Sequence, residues 1–132
     1  MSKKTSEINI KVDLDVNQVP EKIQWTASDS QNGTQDVKAF LLSVWDTREK
    51  NTLRMDLWTK DMSIEEMNKF FFQTYITMAD TFEKATNEDG MGDAMRDFAE
   101  FFGEKLGVIE KTDKFVLHDV PFYIVFGRMS QE

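Results

Sequence analysis

His118 is the only histidine in the chain, set between Leu117 and Asp119, and there is no cysteine anywhere. A lone imidazole has no second histidine with which to share a metal and no thiol to activate. Isolated histidines of this kind are usually surface residues. Carboxylates are plentiful, and the pairs Asp13/Asp15, Glu65/Glu66, Asp80/Glu83 and Glu88/Asp89 are the natural candidates for acid–base work or calcium binding. None of them has the spacing of a calcium loop, and each falls where a strand edge, a helix start or a turn favours an acid anyway. The chain has no glycine loop of the phosphate-binding type, no glycine-flanked serine elbow and no histidine pair at helical spacing. No catalytic residue, no metal and no cofactor are therefore expected. The remaining aromatic candidates are Trp25, Trp45 and Trp58, which would line a small-ligand pocket between sheet and helices. Aromatic residues on short strands more often pack into the core.

The elements that would position these residues begin with Ile8, Ile10, Val12 and Leu14, apolar at every second position with polar residues between. That alternation predicts a half-buried antiparallel strand. Residues 16–20 read as a turn, and Ile23, Trp25 and Ala27 alternate again, so the two runs should form a hairpin. Residues 28–36 are small or polar and read as an exposed loop. The segments 38–45 and 52–58, apolar around the polar stretch 46–51, predict a second hairpin.

Ser63 is followed three residues later by Glu66, the spacing of a capping box, so a helix should start there. Ile64, Met67, Phe71, Tyr75, Met78 and Phe82 recur at intervals of three and four and put one apolar stripe on a helix running to about Thr86. The break at 87–90 leads to a second helix with Met91, Met95, Phe98, Phe102 and Leu106 on one stripe, ending near Gly103 or Gly107. The fold class predicted is α+β: a four-stranded antiparallel sheet of two hairpins packed by two antiparallel helices, in the order ββββαα. The domain spans 1–107, and 108–132 form an extension that packs on the same domain or adds a strand.

Composition narrows the function. Across 132 residues, 40% are apolar and 11 are Phe, too many large hydrophobes for a disordered chain. The N-terminal lysines have no apolar stretch behind them and no run is long enough to span a bilayer, so neither a signal peptide nor a membrane helix is expected. Absence of cysteine suits the cytoplasm. A net charge of −8 repels phosphate backbones, so nucleic acid is not an expected partner. The first helix also carries Phe70, Phe72, Ile76 and Ala79 beyond its main stripe, an apolar arc wider than packing on one sheet requires, so the C-terminal tail, a second copy of the chain or a different protein is expected to cover it. Phe70, Phe72 and Ile76 are the expected partner-binding residues, for a different protein or for a second copy in a homodimer.

The runs Val19-Pro20-Glu21-Lys22-Ile23-Gln24-Trp25 and Leu41-Leu42-Ser43-Val44-Trp45-Asp46 resemble the gliding motility-associated GldC family. So, above all, does Leu53-Arg54-Met55-Asp56-Leu57-Trp58-Thr59-Lys60-Asp61-Met62. The resemblance continues through Met78-Ala79-Asp80-Thr81 and Met95-Arg96-Asp97-Phe98 to Glu104-Lys105-Leu106, covering about residues 4–107. Two departures stand out: Phe70-Phe71-Phe72 occurs where the family places a histidine after two aromatics, and the chain runs about 25 residues further than such proteins do. The resemblance implies a small cytoplasmic protein linked to the motility and secretion machinery of gliding bacteria, with no catalytic residues to carry over. The expected role is that of an accessory protein that binds another protein. The alternatives are a cytosolic chaperone holding a secreted client, and a small-ligand-binding or enzymatic domain built around the tryptophans.

Overall fold

The computed structural model describes residues 4–28 and 32–110. The chain divides into two compact units, one ending at Met62 and the other beginning at Ser63. Among the described residues the first unit holds only strands and the second only helices.

In the β unit, β1 (Ile8–Leu14) pairs antiparallel with β2 (Pro20–Ala27), and β2 pairs on its other edge with β3 (Gln35–Val37). The register places Ile8 opposite Ala27, Ile10 opposite Trp25 and Val12 opposite Ile23, so the alternating apolar residues share one face. Ile23 and Ala27 are buried on that face. The turn between β1 and β2 is organised by Asp15. Its Oδ1 accepts from the Asn17 amide at 2.7 Å and the Val19 amide at 3.0 Å. Its Oδ2 lies 2.6 Å from Lys60 Nζ. The amide bonds and the ammonium let Gln18 hold a positive φ of 65° without a glycine.

β4 (Ala39–Asp46) and β5 (Asn51–Trp58) form a separate two-stranded sheet. The single four-stranded sheet expected from the sequence is therefore two sheets of three and two strands, five strands among the described residues. The extra strand is β3, which falls at the end of the polar stretch read as a loop. Two of its three residues are polar: Gln24 Nε2 donates to Asp36 Oδ1 at 3.0 Å, and just before the strand the Thr26 and Thr34 hydroxyls meet at 3.3 Å. Such a strand leaves no apolar period to detect. At Lys38 the chain leaves one sheet for the other, and the Lys38 carbonyl is held by the Thr59 amide at 2.8 Å and by the Thr59 hydroxyl at 3.3 Å. That clamp closes the open end of the β4–β5 hairpin.

The second unit is a hairpin of α1 (Ile64–Thr86) and α2 (Asp89–Lys105). Both bonds of the expected capping box are present, Glu66 N to Ser63 Oγ at 3.0 Å and Ser63 N to Glu66 Oε1 at 2.9 Å. Asn87 ends α1 in the left-handed conformation at φ 61°, one of the few roles that asparagine fills nearly as well as glycine. The core holds Phe72, Ile76 and Ala99, with Tyr75, Phe102, Val108 and Ile109 packed against it. Val108 and Ile109, the first residues of the expected extension, thus belong to the helical core. The possible C-terminal strand and His118 lie outside the described residues.

Candidate functional site

α2 presents Gly92, Ala99 and Gly103 to α1, and all three are buried. Small residues let the helices approach closely, so the side chains that fill the interface are Phe72, Ile76 and Ala79 rather than the longer stripe expected from the sequence. With about 100° between successive residues, the expected stripe lies beside this interface instead of in it. Tyr75 bridges the two: its ring meets Phe98 edge-on at 5.4 Å and Phe102 at 5.2 Å.

Beyond Tyr75 the stripe opens to solvent and joins the apolar stripe of α2 along one flank of the hairpin. Met78 is 51% exposed, Phe82 37%, Met91 55%, Phe98 48% and Phe101 57%. Phe98 stacks obliquely on Phe101 at 6.0 Å, so the exposed rings are themselves ordered by contact. A shallow groove of about 430 Å³ runs over Met78, Phe82 and Met95, floored by Thr77, Thr81 and Ala85.

The opposite flank is ionic. The Arg96 guanidinium forks onto Glu83, with Nη2 to Oε1 at 2.7 Å and Nη1 to Oε2 at 3.1 Å, and Nη1 also reaches Asp93 Oδ1 at 3.2 Å. Lys84 Nζ lies 3.2 Å from Asp80 one turn earlier. The hydrogen bonds from Arg96 hold the Glu83 carboxyl below the usual carboxylate range against the opposing effect of its partial burial. Glu83 and Asp80, paired in the sequence as candidate acid and base, are instead tied into a structural ion network. Among the described residues no group of three His, Asp or Glu side chains comes together to hold a metal. No helix among them is long and apolar enough to cross a membrane.

Of the expected partner-binding residues, Phe72 is 4% and Ile76 1% exposed, both covered by α2 within the chain itself, while Phe70 is half-buried. On the apolar flank the exposed side chains are Met78, Phe82, Met91, Phe98 and Phe101, and Ile64 and Leu106 are exposed elsewhere on the hairpin. The tryptophans are spread along the β unit. Trp45 pairs with Thr52 beside the turn and Trp58 with Ala39 at the open end, on one face of the β4–β5 hairpin but about 20 Å apart along it. They are 66% and 55% exposed. Trp25 sits in the three-stranded sheet between Ile10 and Gln35. The other face of β4–β5 is also apolar, with Leu42 opposite Met55 and Val44 opposite Leu53, each about half exposed.

The family model described as gliding motility-associated protein GldC-like matches residues 20–108. The chain belongs to this GldC-like family. The matched stretch runs from the first residue of β2 to the end of the helical hairpin, so the groove, the exposed rings and the Arg96 network all lie inside the GldC-like region. No curated protein and no solved structure matches the chain.

Proposed function

We propose that this member of the GldC-like family is a non-catalytic cytoplasmic accessory protein of the gliding-motility and secretion apparatus, which docks another protein on the exposed flank of its helical hairpin. One observation carries the reading: a capped, well-packed hairpin leaves five large Met and Phe side chains about half exposed on a single flank. Scattered exposed hydrophobes are ordinary, but a contiguous patch of them commonly marks an interaction surface. Full burial of one such side chain is worth about 1.5–3 kcal/mol, so covering the open half of five contributes about 5 kcal/mol before the costs of association. That suits a reversible contact rather than a permanent one. A cysteine-free chain is at home in a reducing compartment, which supports the cytoplasmic placement.

The test is affinity capture from extract of a gliding bacterium, comparing the parent chain with a Met78→Gln/Phe101→Gln double variant. Both positions are more than half exposed, so the variant should fold as the parent does, which Phe72→Asp would not. A protein retained by the parent and lost by the variant is the expected result. Identical capture by the two removes the flank from the docking reading.

A further inference from the structure

The charge of this chain is unevenly placed. Residues 63–110 hold eleven carboxylates against four cations, a net −7, whereas residues 1–62 hold ten against nine and residues 111–132 three against three. The helical hairpin therefore carries nearly all of the −8 of the chain. Two of its four cations, Lys84 and Arg96, are bound to Asp80 and Glu83 within the hairpin. The same hairpin carries the apolar flank. At its outer border Phe101 stands between Asp97, four residues before it, and Glu104, three after, which places both acids on its side of α2.

We propose that the Met- and Phe-lined flank of the α1–α2 hairpin seats a basic amphipathic helix of a protein partner. The proposal rests on the docking reading above and names the chemistry of the partner. Three features of the flank fit that occupant. Its exposed anchors recur along two antiparallel helices, and a third helix laid along such a groove meets them with residues at intervals of three and four. Met78, Met91 and Met95 are unbranched and adaptable, so the groove can shape itself to the side chains of an incoming helix. The field of seven uncompensated negative charges draws a cationic segment in and turns its charged side toward the acidic border, raising the rate of encounter more than the final affinity. Charge also disfavours the other occupants. A second copy would set −7 against −7, and the C-terminal residues 111–132, though apolar, carry no net positive charge.

The experiment uses the full chain and labelled 18-residue peptides read by fluorescence anisotropy. The probe is a helical peptide of Leu and Lys with leucines on one side. One control is the same pattern in Leu and Glu, and the other is a Lys/Ser peptide with equal charge and no apolar side. The Leu/Lys peptide should bind at least about tenfold more tightly than either control, and should weaken as salt is raised. The Met78→Gln/Phe101→Gln variant should lose about tenfold of that affinity, while Leu42→Gln, on the β unit, should lose none. Equal binding of the Lys/Ser peptide would reduce the effect to bulk charge and overturn the proposal, as would equal binding by parent and double variant. A parent that sediments as a dimer and is dissociated by the double substitution would give the flank to a second copy. Leu/Lys binding made about tenfold tighter by Phe122→Ser/Val125→Ser would give it to the chain's own C-terminal segment. If the Leu/Lys peptide fails to bind while the double variant still loses a captured protein, docking stands and the basic-helix occupant falls.

Discussion

Replacing Gly103 by alanine sets two effects of similar size against each other, and the geometry decides between them. A methyl group in a helix favours the helical state by up to about 1 kcal/mol over glycine, less near a C-terminus such as this one. At Gly103, however, an added Cβ would lie 2.8 Å from both Phe72 Cδ1 and Cε1 and 3.0 Å from Ile109 Cγ1. Ordinary carbon contacts are about 3.5–4.0 Å, so ring and methyl must separate by about 0.7 Å or more. Phe72 is 4% exposed and packed with Ile76 and Ala99, which leaves it little room to turn away. Overpacking of this kind costs about 1–3 kcal/mol, so a net loss of about 1 kcal/mol is expected, lowering Tm by about 4 °C in a domain of this size. Gly90 supplies the control: it lies on the same helix with nothing within 4 Å of an added Cβ. Gly90→Ala should raise stability by a few tenths of a kcal/mol up to about 1. Urea and thermal unfolding of both variants, followed by far-UV circular dichroism, measure the two signs. A Gly103→Ala protein as stable as the parent would refute the close approach of α2 to Phe72, and with it the assignment of Phe72 to the interior of the hairpin.

Three further outcomes are expected. Ser63→Ala should destabilise α1 by about 1 kcal/mol in urea unfolding, since it removes the acceptor for the Glu66 amide and breaks the capping box. Glu83→Gln should flatten the acid limb of stability against pH: the Glu83 pKa is lowered by Arg96, so its contribution is present above the ordinary glutamate value of about 4.3 and is lost as pH falls through the lowered one. An unchanged acid limb measured by urea midpoints from pH 6 to 2 would contradict the bidentate pair. Asp15→Asn should loosen the β1–β2 turn by removing the carboxylate that Lys60 and two amides share, and should abolish the high-pH loss of stability expected as Lys60 titrates through its raised pKa. Amide exchange at Asn17 and Val19, faster in the variant than in the parent, is the direct readout.

Much of the architecture was legible because local chemistry announced it. Ser63 and Glu66 marked the first turn of α1, alternating apolar residues marked β1 and β2, and the polar stretch 46–51 between apolar runs marked the β4–β5 hairpin. β3 was not legible, since it is three residues long and two of them, Gln35 and Asp36, are polar, which leaves no apolar pattern. The rotation of α1 about its axis was misread for a different reason. Two stripes compete on that helix: the longer one, from Ile64 to Phe82, has more apolar surface, but the shorter one of Phe72, Ile76 and Ala79 faces Gly92, Ala99 and Gly103. Small residues at helical spacing on α2 were the signal available in the sequence, because they let large residues of a neighbouring helix sit deepest. Close approach to that small-residue seam then decides which stripe is buried, whatever the total size of the other. The stripe that loses this competition is not discarded surface. It keeps the spacing of a packing face, it continues onto Met91, Phe98 and Phe101 of α2, and it lies on the unit that holds nearly all of the net charge. The residues that mislead about the core are thus the ones left free to act outside it, and an apolar face built to helical period on an acidic hairpin is a surface suited to receiving a cationic helix.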